Sequence, residues 1–179
     1  MYHNGNRDLQ DRFDSRRIAD RLVEILHRTA FSEEDRDFIQ SRAMFFLATS
    51  DASGWPDCSY KGGHPGFVRV IDTSTLAFPS YDGNGMFKSL GNVMQNPKVG
   101  LLFIDFENGD LLQLTGRAWI DWDAPEIQTA AGVQRLLRVH PTETRLLPGS
   151  FPLRATTIDL SPNLGAIESI NTRDGVGSP

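Results

Sequence analysis

The strongest constraint on the fold is a pair of apolar segments, KVGLLFIDF at 98–106 and LLQLTGRAWIDW at 111–122, which are separated by ENGD. Both segments are rich in residues that favour strands, and the Asn-Gly in the connection is a strong hairpin signal. The pair therefore predicts two long antiparallel strands at the centre of a sheet.

Shorter strand signals surround this pair. MFFLATS at 44–50 leads through the turn DASGWPD into CSYKG, and FVRVID is joined to TLAFPSY by a polar turn. RATTIDL at 154–160 is predicted as the last strand. About seven short strands with few helices indicate a closed or half-open antiparallel barrel, because closure removes exposed sheet edges.

Helical spacing is confined to four segments. Apolar residues recur at helical spacing over 14–28 and 124–139. A capping pattern at Ser32 and Asp35 predicts the start of a short helix before the strand at 44–50. A further helix over 86–95 is ended by Asn96-Pro97. The polar ends, 1–11 and 171–179, are predicted to be mobile.

Length, charge and motif content exclude several classes of protein and of binding partner. The chain has 179 residues, which predicts one compact domain, and its net charge of −5 argues against nucleic acid as the main ligand. The single cysteine, Cys58, and the lack of a signal-peptide or membrane-spanning segment predict a cytoplasmic protein. No hydrolase or kinase motif is present, and the spacing of the four histidines predicts no metal site; they are His3, His27, His64 and His140.

Two segments dense in glycine, polar and basic residues stand out. They are SYKGGHPGF from Ser59 and YDGNGMFKSLGN from Tyr81, and each adjoins a predicted strand. Glycine allows close approach of the backbone to a ligand, and lysine supplies positive charge. Composition alone leaves two interpretations open, a ligand-binding pair of loops and two ordinary turns.

These segments, with KSLGNVMQNPKVGLLF from Lys88 and TGRA at 115–118, resemble the flavoproteins of the pyridoxamine 5'-phosphate oxidase type. The resemblance runs from about Phe38 to Ile120. It implies a mainly β (α+β) fold, an antiparallel split β-barrel (FMN-binding split barrel) with peripheral helices. The implied organisation is a helical extension packed on the barrel at 1–40, the barrel at 41–170 and a flexible tail at 171–179.

The resemblance also implies a place for FMN. Its phosphate would lie at the start of the short helix, and a helix N-terminus, a lysine and nearby hydroxyls suit a dianion. Residues matched to the phosphate are Lys88 and Ser89, with Ser80, Tyr81 and Asn84 close enough in sequence to assist. The isoalloxazine edge would lie along the second strand, at Cys58, Ser59, Tyr60 and Lys61, where Lys61 can also tune the redox potential.

The sequence departs from the family at two places. The oxidase has adjacent basic residues at the helix start, whereas Lys88 stands between Phe87 and Ser89, and Arg117 or Arg69 would have to compensate. The C-terminal segment lacks the substrate-handling arginines and histidine of the oxidase, which argues against pyridoxine phosphate oxidation.

Several other side chains have more than one interpretation. Cys58 is more readily a small buried apolar residue than a redox thiol. Trp55, Trp119 and Trp122 can stack on a flavin, fill the core or form a subunit contact.

The resulting expectation is an FMN-dependent oxidoreductase of unknown substrate that forms a homodimer, with each FMN in a groove between subunits. One alternative is a flavin-binding or small-ligand sensor protein without turnover. Another is a relative that binds a deazaflavin or haem, and haem is disfavoured because no histidine lies on a predicted strand.

Overall fold

Residues 2–81, 85–125 and 133–152 are described by a computed structural model of the chain. They form the helices α1 Asn4–Arg12, α2 Arg16–Leu26, α3 Glu33–Ser41 and α4 Lys88–Gln95. The strands are β1 Met44–Ser50, β2 Pro56–Gly62, β3 Arg69–Asp72, β4 Thr75–Tyr81, β5 Lys98–Ile104, β6 Leu111–Asp121 and β7 Val133–Leu147.

The seven strands form one antiparallel sheet in the order β2-β1-β5-β6-β7-β4-β3. The predicted hairpins β1-β2, β3-β4 and β5-β6 are all present. β6 is the middle strand, which confirms the central position of the longest strand signal. Among the described residues, β2 and β3 are the two free edges of the sheet.

The sheet curls into a barrel that stays open between those edges. Phe45 on β1 and Phe78 on β4 lie 4.9 Å apart between ring centroids, although three strands separate β1 from β4 in the sheet. In a flat sheet four strand spacings of about 4.8 Å would hold these residues far apart. The ring contact therefore requires strong curvature, and the predicted mainly β, split-barrel fold with peripheral helices is confirmed.

The barrel interior is the hydrophobic core. Along β6, Leu112, Leu114 and Ala118 are buried while Gln113, Thr115 and Arg117 are exposed, which is the alternation expected of a half-buried strand. Three helical side chains join the same core, Ile39 from α3 and Leu90 and Val93 from α4. These two helices are thus fixed to the barrel by burial of apolar surface.

The helix predicted over 124–139 is wrong from residue 133 onward, where β7 begins. The Leu136-Leu137 pair suits a helix by spacing, but in the sheet Leu137 faces the core cluster and Leu136 a second small cluster. Both faces of this strand are covered, so its sequence does not alternate. Pro141 is tolerated because β4 pairs only with the first part of β7, from Val133 to Val139.

The N-terminal region contains more helix than predicted. The segment expected to be a mobile end forms α1, whose Arg7 pairs with Asp20 of α2 at 2.6 Å. The helix predicted over 14–28 is confirmed as α2, but its apolar residues Ile18 and Ile25 are exposed. The predicted cap of α3 is present, since Ser32 Oγ accepts from the Asp35 amide at 3.1 Å.

Some predictions fall outside the described residues. They are Asn84, the part of the predicted helix at 126–132, the strand at 154–160 and the tail at 171–179. Within the described ranges no helix has the length and apolar character needed to cross a membrane.

Candidate functional site

The two glycine-rich segments singled out in the sequence meet in space, where β2 contacts the first turn of α4. Ser59 Oγ lies 2.9 Å from Ser89 Oγ, and Lys61 Nζ donates to Ser89 Oγ at 3.3 Å. Ser59 and Lys61 are opposite the core residues Leu47 and Phe45 in the β1-β2 register, so they lie on the interior face of the sheet. Ser89 is buried, and its hydroxyl therefore needs these partners.

Two lysines give this site its positive charge. Burial lowers the pKa of Lys61 below its ordinary value, and the nearby Asp57 carboxylate acts in the opposite direction. Lys88 is largely exposed, and its Nζ lies 3.2 Å from Asp57 Oδ1. Among the described residues, one carboxylate thus lies beside two ammonium groups, which gives this part of the site a net positive charge.

The N-cap residue of α4 provides no side-chain cap. This residue, Phe87, has left-handed backbone angles of φ 49° and ψ 26° and offers no hydrogen-bond acceptor on its side chain. The first amides of a helix carry partial positive charge and accept an anion when no side chain satisfies them. The start of α4 therefore combines helix amides that receive no bond from the N-cap side chain with two lysines and two hydroxyls.

The other end of α4 is tied to β1. Asn92 Nδ2 donates to Thr49 Oγ1 at 2.9 Å, and Asn96 Nδ2 donates to Ser50 Oγ at 2.8 Å. With Leu90 and Val93 in the core, these bonds fix the helix so that its N-terminus faces β2. The site is therefore built on rigid elements of the barrel.

Arg135 is a residue that the sequence analysis missed. It lies on β7, is buried, and its guanidinium carbon is 4.7 Å from the centroid of the Phe87 ring. Arg135 is also directly opposite Ser80 in the β4-β7 register. A further cation thus stands beside the α4 N-cap. The spacing of apolar residues around Arg135 also fits a helix, which hides its place beside the site; its alternation with Leu137 and Val139 is the signal that favours a strand.

The remaining predicted residues are not all brought together. Ser80 is paired with Arg135, which lies over the N-cap residue Phe87, so Ser80 is near the site. Tyr81 lines a separate cavity. Arg117 lies on the exposed face of β6, and neither it nor Arg69 forms a hydrogen bond or ion pair with the α4 group described here. Asn84 lies outside the described residues.

Strand β2 offers its backbone as well as its side chains. Among the described strands it pairs only with β1, so its outer row of N–H and C=O groups has no strand partner. Cys58 and Tyr60 are exposed on the face opposite to Ser59 and Lys61. The four residues matched to the isoalloxazine edge therefore divide into two faces of one edge strand.

The structure bears on three expectations from the sequence. Cys58 is exposed on the edge strand β2, so the expectation that it is a small buried apolar residue is wrong. Trp55, Trp119 and Trp122 are all exposed, which excludes the core as their location. His140 lies on β7 opposite Arg117, so the argument against haem from the absence of a strand histidine is wrong.

Comparisons with known proteins agree with this architecture. The family model for pyridoxamine 5'-phosphate oxidase matches residues 31–158. No curated protein matches the chain.

Solved structures share the fold at low identity. HupZ from Group A Streptococcus is 21% identical, with a TM-score of 0.52, and the match covers 70% of this chain and 98% of HupZ. A protein from Lactobacillus delbrueckii that is provisionally named as a pyridoxamine 5'-phosphate oxidase is 18% identical, with a TM-score of 0.51 and coverages of 66% and 98%. HutZ, the heme storage protein from Vibrio cholerae, is 19% identical, with a TM-score of 0.48 and coverages of 65% and 93%.

The family match covers most of the chain, including all seven described strands and the α3 and α4 helices that pack on them. The chain therefore belongs to the pyridoxamine 5'-phosphate oxidase family.

Proposed function

We propose that this protein is an FMN-dependent oxidoreductase and that the start of α4 holds the phosphate of the flavin. The observation that carries the proposal is the cluster at the N-terminus of α4, where Phe87 provides no side-chain cap and Ser59, Lys61, Lys88 and Ser89 lie together. Helix amides, ammonium groups and hydroxyls are the donors that a phosphate dianion requires. The residues present thus fit the group that the family implies.

Each residue has a separate task in this proposal. Ser89 and Lys88 donate to the phosphate, and Lys61 and Ser59 hold the Ser89 hydroxyl in place from β2. The outer backbone groups of β2 are suited to bind the polar edge of the flavin ring. When bound, FMN supplies the electron transfer, while the chain binds and orients it and sets the charge around it.

We further propose that the protein is a homodimer, as members of the family with a groove-bound flavin would require. Exposed apolar side chains on the outer face of the sheet support this, and Trp119 on the middle strand is the largest of them. An exposed tryptophan on a strand face is more typical of an interface than of a monomer surface.

The identity of the ligand is tested by heating the purified protein and analysing the released small molecule by mass spectrometry. FMN supports the proposal. Release of a deazaflavin or haem would replace it with one of the two alternatives. If no ligand is released, FMN is titrated into the protein and its fluorescence quenching gives a Kd.

The position of the phosphate is tested with matched variants in the same titration. Lys88→Ala should weaken FMN binding by about tenfold or more, because it removes a charge-assisted contact. Asp57→Asn should leave binding unchanged or strengthen it, since it removes a carboxylate that pairs with Lys88. Equal FMN affinity in wild type and Lys88→Ala would contradict the proposed phosphate site.

Turnover is a separate question from binding. Reduction of the bound flavin by NADH or NADPH, followed by reoxidation with added acceptors, would support an oxidoreductase. A flavin that binds but is not reduced by either donor would favour a flavin-binding or sensor protein without turnover.

A further inference from the structure

The helix α2 exposes its most apolar stripe to solvent. Ile18, Leu22 and Ile25 follow one another at intervals of four and three residues, so they form one stripe along the helix. Their exposed fractions are 61%, 45% and 63%. An amphipathic helix normally turns such a stripe toward the core, whereas Ala19 is the one residue of α2 that is buried. Within the described residues the stripe is therefore an apolar face that no other element covers.

The ends of α2 are tied to the rest of the protein, so the stripe has a defined position. The carbonyl of Arg28, just after α2, accepts from the Thr144 amide of β7 at 2.8 Å. The Arg28 guanidinium pairs with the fully buried Asp35 carboxylate at 2.8 Å, and Arg7 of α1 pairs with Asp20 of α2 at 2.6 Å. Because α2 is ordered before any contact, a partner on the stripe loses little affinity to ordering it.

Charged side chains on one side of the stripe suit a second copy of the same helix. Arg21 and Glu24 both line one groove beside Ile25, and neither has an ion-pair partner within residues 2–81, 85–125 and 133–152. In an antiparallel pair of α2 helices the order of residues along that side is reversed. Arg21 of each copy then lies beside Glu24 of the other, and Leu22 lies close to its own twofold mate.

We propose that α2 packs antiparallel on α2 of a second copy of this chain, with the apolar stripe in the contact and two Arg21–Glu24 ion pairs beside it. The inference rests on the homodimer proposed above. A stable dimer buries about 1,200 Å² or more, and three aliphatic side chains per chain supply only a part of this area. The helix pair therefore adds to the sheet contact around the same twofold axis.

This contact belongs to the N-terminal extension of the chain. The helices α1 and α2 precede residue 31, where the match to the family begins. The sheet contact could thus form in a relative that lacks these helices, whereas the helix contact requires them.

Cysteine cross-linking of the full-length protein tests the contact. In a Cys58→Ser background, Leu22→Cys should give a disulfide-linked pair at twice the chain mass of 20.0 kDa under mild oxidation, because the twofold axis brings the two thiols together. Glu34→Cys, at an exposed position on α3, is the matched control and should stay unlinked.

Sedimentation equilibrium without oxidant separates failure of this contact from failure of the homodimer. A dimer whose Leu22→Cys variant does not cross-link would overturn the α2 contact and leave the homodimer standing. A monomer would overturn both. A mass of four chains would overturn the placement of the helix pair within the same dimer.

Charge reversal tests the antiparallel order. In the Leu22→Cys protein, Arg21→Glu and Glu24→Arg should each slow cross-linking by about fivefold, because each sets like charges against one another, and the double reversal should restore the rate. The rate of reaction with a soluble aromatic disulfide corrects for changes in thiol reactivity. Equal corrected rates in all four proteins would overturn the antiparallel pairing.

A lipid surface is the other class of occupant that suits an amphipathic helix. The net charge of −5 opposes binding to anionic lipid, which favours the second copy. The wild type should therefore stay in the supernatant when vesicles of phosphatidylglycerol and phosphatidylcholine are sedimented. Co-sedimentation that Leu22→Glu abolishes, with no cross-link in Leu22→Cys, would overturn the proposal and assign the stripe to a membrane surface.

Discussion

Lys61 shows what a single residue contributes to a site on the interior face of a barrel. Its ammonium group is partly withdrawn from water and donates to the hydroxyl of Ser89. The sequence could predict that Lys61 lies near the ligand, because the glycine-rich segment SYKGGHPGF adjoins a predicted strand. It could not predict that Lys61 contacts the start of α4, since that contact depends on the curvature of the whole sheet.

The buried charge of Lys61 has a cost that varies with pH. Its folded pKa is below the unfolded value of 10.5, so the unfolded chain binds more protons between these two values and stability rises with pH in that window. Lys61→Met should therefore be more stable than the wild type at neutral pH, with a difference that shrinks as the pH rises through the folded pKa of Lys61. The free energy of unfolding from urea titrations at several pH values measures this.

The Lys61→Met variant should also bind FMN more weakly, because it removes one of the two ammonium groups at the proposed phosphate site. If Lys61→Met is more stable than the wild type and binds FMN with the same affinity, Lys61 has no part in the site. One that is less stable at neutral pH would show that the bond to Ser89 outweighs the burial of the ammonium group.

Arg135 supplies a prediction about the N-cap of α4. Its guanidinium lies over the Phe87 ring, which orders the residue that begins the helix. Arg135→Ala should weaken FMN binding by about tenfold, whereas Arg135→Lys should restore most of the affinity, since an ammonium also carries charge and can lie over an aromatic ring.

The FMN titration and a thermal unfolding curve together separate two roles for Arg135. Loss of stability in Arg135→Ala with unchanged affinity would make this residue a structural one. Loss of affinity that Arg135→Lys does not restore would indicate a need for the planar guanidinium rather than for its charge.

At the scale of elements, the sequence was most informative where one face of a strand is exposed. β6 alternates between core and solvent, and its bounds and pairing with β5 were predictable from that alternation and the Asn-Gly turn. β7 is covered on both faces over its first half, so its apolar pattern fits a helix as well as a strand. Only the pairing with β4 and β6 distinguishes the two.

The β6-β7 contact gives a prediction at this scale. β6 and β7 change register between Thr115 and Gly116, and a Cβ atom on Gly116 would clash with the backbone carbonyl of His140. Gly116→Ala should lower the free energy of unfolding by about 2 kcal/mol or more, because the backbone of β7 at His140 would have to move to make room for the Cβ atom. Urea denaturation followed by circular dichroism measures the change.

Gly100 on the neighbouring strand is the matched control for this substitution. A Cβ there would lie 3.6 Å from Ala48 Cβ, an ordinary contact, so Gly100→Ala should change stability by less than about 1 kcal/mol. Similar losses in both variants would mean that close packing at Gly116 is not the cause.

At the scale of the whole molecule, the exposed aromatic residues support the proposed dimer. Sedimentation equilibrium should give twice the chain mass of 20.0 kDa, and Trp119→Glu should shift the protein toward the monomer, because a charge opposes burial of that face. Glu34→Lys, at an exposed position on helix α3 rather than on the sheet, is the control. A monomer at micromolar concentration would contradict the homodimer.

The position of β7 has a consequence for how the protein is made. Among the described strands it alone joins the β2-β1-β5-β6 group to the β4-β3 hairpin, yet it is the last of them to leave the ribosome. Until Val133–Leu147 emerges, the strands within each group can pair with one another, but the two groups cannot be joined by hydrogen bonds through β7. Nascent chains arrested before residue 133 should consequently be cleaved rapidly by protease, and resistance should arise in a single step once β7 has been translated and released.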